Sequence, residues 1–444
     1  MVDVQPRSAE AIEHAAPEAG TDRRKLIPEL GLKEYWYPAI EARKVRNKPV
    51  GLMIMKEQIV FFKGKDGLVK ALWNVCPHRG GSLMHGDSHF EGTVSCPYHG
   101  WTYDGDGNVL AVLPEGPESK IPGKVKARVY PTQTLRGMVF IWMGEGEPAP
   151  IEEDVPLEFF TDNGILLFGW EVWPINWRPA NENALEAHVP YVHRDSWINY
   201  MIPFPQMGPR GIYTKIVNNR AAKGVYPGYG DAVKEADASG GDNEVNVPKR
   251  PKGPTFTWDF PALDSKWPKN HIVRSMISRF FRWTAKRRYK WSPMDQSEEW
   301  GSMQHHLPAM VRVDFNTHMY TRNNVPIDEY STRQIYYHYA RGNSWLGRLY
   351  EKLQFHMFHR WALVSNFSNQ DFRAAAPQRY DTAEYLSSTD SHLVVWRRMM
   401  TRARGMEDLK AGKLLPTTKA EDASRLVQTE VGMTLEWEPG DDHV

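Results

Sequence analysis

The sequence predicts an α+β protein in which a small all-β domain precedes a larger domain of mixed strands and helices. Three observations carry this prediction. From Tyr35 to about Pro150, short apolar runs alternate with turn formers. From Ile151 onward, strand and helix textures are mixed. Between them, Gly144-Glu145-Gly146-Glu147-Pro148-Ala149-Pro150 has the composition of a linker. A length of 444 residues fits two or three domains, or one large and one small.

In the first domain, Gly51-Leu52-Met53-Ile54-Met55 and Ile59-Val60-Phe61-Phe62 read as strands. Lys65-Asp66-Gly67 and Asp104-Gly105-Asp106-Gly107-Asn108 read as turns. In the second, residues 207–255 are rich in Gly, Asn, Lys and Pro and read mostly as loop. Residues 307–341 read as strands, among them Met310 to Phe315 and Gln334 to Tyr339. Leu346, Leu349, Leu353, Met357, Trp361 and Val364 follow three- and four-residue steps, which predicts a helix over 344–370. A second helix is expected from Ser391 to Arg404. The domain plan is an arm over 1–34, a β domain over 35–150, a larger domain over 151–435 and an acidic tail over 436–444.

Hydrophobic residues make up 41% and charged residues 25%, enough for a sizeable core, so global disorder is excluded. The formal net charge of +1 argues against nucleic-acid binding by bulk charge. No apolar run approaches the roughly 18 residues that span a bilayer; the longest is Met138 to Met143. The N-terminus has no basic segment ahead of an apolar one, so a soluble, cytoplasmic protein is expected. Two cysteines in so long a chain are no disulfide framework.

Both cysteines lie in loops that also carry histidine. Cys76-Pro77-His78-Arg79-Gly80-Gly81 is followed by Cys96-Pro97-Tyr98-His99-Gly100-Trp101, with 17 residues between His78 and Cys96. Each loop offers one thiolate and one imidazole, four metal ligands in all. Zinc accepts the same set but usually takes Cys with Cys and His with His on one short turn. Mixed loops let one iron take both thiolates and another both imidazoles, the Rieske [2Fe–2S] arrangement.

A second constellation lies in Asn181-Glu182-Asn183-Ala184-Leu185-Glu186-Ala187-His188-Val189-Pro190-Tyr191-Val192-His193. Histidines five apart stand about 140° apart on an ideal helix. Pro190 between them distorts the turn, which allows His188 and His193 to reach one metal. By spacing alone, two ordinary histidines near a helix end fit as well. His356 and His359 compete as a pair three apart, and His305 and His306 point to opposite faces of a strand. The basic, aromatic segment from Arg274 to Lys290 reads first as a solvated helix, with an acidic electron donor, nucleic acid or a membrane as alternative contacts. The Trp and Tyr content of 257–300 suits an aromatic pocket and a packed core equally.

The Cys76 and Cys96 loops resemble the Rieske loops of ring-hydroxylating oxygenase α subunits. Glu182-Asn183 followed by a carboxylate and two histidines resembles the mononuclear-iron segment of the same family. The resemblance implies that Cys76, His78, Cys96 and His99 hold a [2Fe–2S] cluster. It implies that His188 and His193, with Asp371 from a later helix, hold Fe(II) with positions open for O2. It also implies a larger domain of antiparallel sheet flanked by helices, of helix-grip or START-like type.

The family usually places Asp three residues before the first iron histidine. Here position 185 is Leu, and Glu186, two residues before His188, is the candidate bridge between the metal centres. Asn183 matches a family asparagine near the iron. The α-only branch, which includes 2-oxoquinoline and carbazole oxygenases, is the most similar; it implies a homotrimer in which one subunit's cluster feeds its neighbour's iron. No Gly-rich dinucleotide fingerprint is present, so NAD(P)H electrons are expected through a separate ferredoxin, reductase or both. The activity implied is hydroxylation of an aromatic small molecule. O- or N-demethylation on the same site is an alternative, and a pure electron carrier is a more distant one.

Overall fold

Short strands joined by tight turns build the first part of the chain. The computed structural model describes residues 23–162, 164–185, 188, 192–193, 195–196, 213–217, 221–225, 245–246, 276, 303–314, 318–342, 344–379, 382–387 and 390–406. Strands β1 (Trp36–Glu41), β2 (Val50–Ile54), β3 (Glu57–Lys63), β4 (Val69–Trp73), β5 (Val94–Ser95), β6 (Trp101–Tyr103), β7 (Val109–Val112), β8 (Val129–Tyr130), β9 (Thr132–Leu135) and β10 (Met138–Trp142) form three small sheets. Their orders are β1-β10-β9, β2-β3-β4-β8 and β5-β6-β7. The longest apolar run of the sequence becomes β10, the central strand of its sheet, and all five of its residues are buried. A strand covered on both faces has no reason to alternate. Arg136 and Gly137 close the β9–β10 hairpin with φ of 46° and 86°, the two positive values that a two-residue turn of matching twist needs.

The second part is organised by one antiparallel sheet. Strands β11 (Gly164–Trp173), β12 (Tyr213–Val217), β13 (Ala221–Val225), β14 (Val245–Asn246), β15 (Met303–His306), β16 (Met310–Asp314), β17 (Met319–Pro326) and β18 (Thr332–Arg341) pair in the order β11-β18-β17-β16-β15-β13-β12-β14. Helix α1 (Trp177–Glu182) follows β11. Helix α2 (Trp345–Gln354) continues through two π-helical stretches, Phe355–His359 and Trp361–Ser368, into α3 (Asn369–Ala375). Helix α4 (Ser391–Met400) completes the described elements. None of the described helices is long and apolar enough to cross a membrane.

Two regions add to the sequence reading. Residues 207–255 contain three strands, β12 to β14, and the rest of that stretch lies outside the described residues. These strands are short, and β13 pairs with β15, a partner far along the chain that composition does not reveal. The helix over 344–370 is present, but its Leu346, Leu349, Leu353, Met357 and Trp361 stripe is exposed. Phe355, Ala362 and Leu363 are the buried residues instead. Met357 and Trp361 lie in the π stretches, where a 3.6-residue period no longer marks the packed face, whereas Leu346, Leu349 and Leu353 lie on regular α2 and are exposed there.

The core runs across the linker. Trp36, Phe140 and Trp142 pack in one cluster with Trp177, Tyr337 and Trp396. The β2–β3 turn is held from the other side: the Met55 and Lys56 amides donate to the Pro326 and Ile327 carbonyls at 2.9 and 2.7 Å. Residues 1–22 of the arm, the acidic tail and, apart from Met276, the basic segment 274–290 lie outside the described residues.

Candidate metal centres

The two Cys–His loops are near-copies of one turn. The Cys76 amide donates to the Gly81 carbonyl, and the Gly80 amide donates back to the Cys76 carbonyl, at 2.8 and 2.9 Å. In the other loop, Cys96 and Trp101 make the first of these bonds, and Gly100 and Cys96 the second, at 2.8 and 3.0 Å. Gly80 and Gly100 have φ of 75° and 63°, which lets each loop fold back over its cysteine. A Cβ on Gly81 would lie 2.9 Å from the Cys96 sulfur, so this position admits no side chain without displacement.

Both cysteines are buried and unpaired by disulfide, while His78 and His99 are partly exposed. The imidazole centroids are 4.6 Å apart, and His78 stacks on Trp101 at 4.8 Å. The Tyr103 hydroxyl is 3.0 Å from the Cys76 sulfur. Burial pushes the Cys76 thiol pKa up, against the hydrogen bond from Tyr103. His78 Nδ1 is buried and has no hydrogen-bond partner. Two buried thiols facing two imidazoles, one with an orphaned ring nitrogen, fit a [2Fe–2S] cluster of mixed ligation.

The second centre is assembled from distant segments. Helix α1 is buried along its whole length, and the Asn176 side chain accepts from the Arg178 amide at its start. Its end is held by Arg397 of α4, whose guanidinium donates two bonds to Glu182, both at 2.7 Å. From β17, Arg322 donates to the Ala180 carbonyl at 3.1 Å, and Asn324 to the Asn181 side chain at 2.7 Å. The chain then turns at Asn183–Leu185, and Asn183 is buried with an unpartnered Oδ1.

His188 and His193 follow, and their Nε2 atoms lie 3.1 and 2.9 Å from one oxygen of Asp371 on α3. The ligand atoms of the three residues lie within 4.8 Å of one another. His193 stacks on Phe367 at 3.7 Å, and its Nδ1 is 3.1 Å from the Gln370 side chain. Arg322 approaches the other Asp371 oxygen at 3.7 Å. Burial would raise the Asp371 pKa, but the His193 and His188 imidazoles hold it well below the usual carboxylate range. Two imidazoles and an ionised carboxylate converging at one buried point fit the facial triad of a ferrous site. Asp371 is therefore no solvated helix-end residue. Glu186 lies outside the described residues.

A cleft opens between β11, β17, β18 and the π-helical segment, and its lining includes none of His188, His193 and Asp371. Trp170, Tyr320, Tyr336 and Phe355 are among its lining residues. Tyr320 bonds to Ser368 at 2.9 Å, one helical turn before Asp371, and the Tyr336 hydroxyl bonds to Glu171. Of the competing histidines, His356 is exposed, whereas His359 turns inward to His318 and His338. His305 is fully buried against His392, with Nδ1 and Nε2 at 3.1 Å. Sequence reading missed Arg322, Gln370 and His318. The available signal was β17 itself, where Arg322 and Asn324 alternate at two-residue steps among buried positions.

Residues 35–130 match the Rieske [2Fe-2S] domain family, and residues 142–244 match the homotrimeric ring hydroxylase family. The carbazole 1,9a-dioxygenase terminal oxygenase component of Metapseudomonas resinovorans is 31% identical over 207 residues, which is 44% of this chain and 54% of that one. The match thus spans about half the length of that relative. The solved terminal oxygenase of carbazole 1,9a-dioxygenase from Nocardioides aromaticivorans IC177 aligns with a TM-score of 0.67 at 23% identity, covering 86% of this chain and 97% of the other. A reduced complex between oxygenase and ferredoxin in carbazole 1,9a-dioxygenase aligns at 0.65 with 20% identity, covering 89% and 96%. Sequence motifs, loop geometry and fold converge: residues 35–130 resemble the Rieske [2Fe–2S] domain family, residues 142–244 resemble the homotrimeric ring hydroxylase family, and the chain has the fold of the carbazole dioxygenase terminal oxygenases.

Proposed function

We propose that this chain is the terminal oxygenase of a Rieske non-haem iron system that hydroxylates an aromatic or heteroaromatic compound. The observation that carries the reading is the convergence of His188, His193 and Asp371 at one buried point, and the cleft lined by Tyr320 and Tyr336 adds an aromatic surface. In this reading residues 35–150 carry the cluster and 151–435 the catalytic centre. Cys76, His78, Cys96 and His99 hold the [2Fe–2S] group, and His188, His193 and Asp371 hold ferrous iron. Iron held by these residues would supply O2 activation, with electrons from NAD(P)H relayed through the cluster.

The chain's own residues do the rest. Asp371 supplies the anionic ligand, and Phe367 and Gln370 fix the ring of His193. The buried Tyr320 and Tyr336 exclude water, and with Trp170 at the mouth they present flat surfaces to an aromatic substrate. Asn183 lies near the iron ligands, and Glu186 bridges the two centres. The donor is a separate ferredoxin, reductase or both, a role supported by the ferredoxin complexes of similar folds. Assembly is a homotrimer, supported by the matched family and by the exposed apolar stripe on α2. The setting is the cytoplasm and the pathway class is aromatic catabolism.

The test is iron and acid-labile sulfide per chain, with an EPR spectrum of the reduced protein purified without air. About three irons and two sulfides with a Rieske signal are expected. About two irons, unchanged after ferrous iron is added, overturn the oxygenase reading and leave an electron carrier.

A further inference from the structure

We propose that His318, His338 and His359 form a second metal site in the hydroxylase domain, for a divalent cation of the zinc type, with one coordination position open to the cleft. The three residues come from three elements. His318 immediately precedes β17, His338 lies on β18, and His359 lies on the π-helical stretch above the sheet. Tyr320 is paired with His338, so His318, two residues earlier on the same strand face, is its diagonal neighbour. Their ligand nitrogens all lie within 4.8 Å of one another. The ring centroids are 4.5 Å apart for His318 and His338, 4.6 Å for His318 and His359, and 5.3 Å for His338 and His359.

The polar atoms are otherwise hard to explain. His338 is 2% exposed, yet neither of its ring nitrogens has a hydrogen-bond partner, and His359 Nδ1 has none either. Leaving such groups buried and unpaired carries the full desolvation penalty. Burial keeps all three imidazoles neutral, the form that ligates. Three neutral histidines and one free position are the coordination set of open zinc sites. His338 lines the same cleft as Tyr320 and Tyr336, so the free position faces that cleft. Arg322, which approaches Asp371, is four residues from His318 along the chain, so the two centres are distinct. The fourth position takes an anionic oxygen. If the oxygenase reading holds, that oxygen belongs to the far end of the substrate.

The test uses full-length, cluster-loaded protein in which His188→Ala and Asp371→Ala remove the other centre. About one zinc per chain, beyond cluster iron, is expected after equilibration with zinc and desalting, and adding His359→Ala should remove it. Zinc content below one-tenth per chain in the parent, or unchanged content after His359→Ala, overturns the site. The visible cluster spectrum and thermal melting of each variant report whether it folds. If His359→Ala does not fold, X-ray absorption of the zinc-loaded parent decides: three imidazole ligands support the site, and sulfur or fewer than three imidazoles overturn it. The open position is read with cobalt(II) in place of zinc. A shift of its visible bands on adding azide supports it, and an unmoved spectrum refutes it. None of these readouts depends on turnover, so the site stands or falls apart from the proposed activity.

Discussion

The Cys76 and Cys96 loops and the His188–His193–Asp371 centre each gather metal-ligating side chains, but they are built in opposite ways. All four loop residues lie between positions 76 and 99, and each loop holds its own shape with two short-range backbone bonds and one glycine of positive φ. The other centre joins residues 183 positions apart, and its ligands stand where they do because α1, β17, α3 and α4 are locked together. Local turns make the first site sturdy against distant changes. The second inherits every error in sheet register or helix packing.

The sharpest way to break the comparison is to delete one centre at a time. Cys96→Ser should abolish the Rieske EPR signal, and His188→Ala should leave that signal intact. Both should lower substrate turnover by a factor of about a thousand or more, as loss of a group in the catalytic unit does. Full activity in His188→Ala would remove the iron assignment.

Arg397→Met probes the dependence on distant packing. It strips Glu182 of a buried bidentate partner and should cost about 3–5 kcal/mol in urea unfolding. Iron retention at the second centre should fall while the cluster loops, far from α4 in sequence, keep their spectrum. Equal loss of both metals would erase the distinction drawn here. Glu186→Gln is expected to slow product formation about tenfold or more with both metals still bound. An unchanged rate would put the bridge elsewhere.

Tyr103→Phe addresses the loops. Losing a hydrogen bond of about 1 kcal/mol to the Cys76 sulfur should lower the cluster potential by on the order of 40 mV. Voltammetry measures this, with the EPR line shape preserved.

A separate effect is acid sensitivity of the helix–sheet region. Burial pushes His392 down to about 3 from an ordinary 6.5, and His305 beside it well below that value. Both therefore fold neutral while the unfolded chain takes up protons below pH 6.5. Stability is full above that pH and falls as the pH drops toward the folded values, by about 2 kcal/mol per histidine at pH 5. Urea midpoints at pH 7.5 and 5 should show the loss, and His392→Gln should reduce it.

Legibility in the sequence followed the same division. The thiol–imidazole loops were readable because spacing, proline and glycine encode a turn within a few residues. His188 and His193 were readable as a pair, but only resemblance linked them to Asp371. Nothing in the run from Asn181 to His193 encodes the strand that holds it. Strands β12 and β13 were missed because their pairing is set by β15, far along the chain. The helix over 344–370 was found, yet its packed face was not: π turns break the 3.6-residue count from Phe355 onward, and the apolar Leu346, Leu349 and Leu353 of regular α2 stay exposed.

By itself, the sequence determined the class of the protein, the order of its β-rich and mixed regions and the ligand set of the cluster loops. Each of these depends on residues close together in the chain, where backbone geometry leaves few choices. Only the tertiary structure decided that Asp371 reaches His188 and His193, that Arg322 stands beside them, and that His359 joins two sheet histidines rather than His356. Those meetings depend on strand register and helix packing, which are set by the whole buried core rather than by any local run of residues.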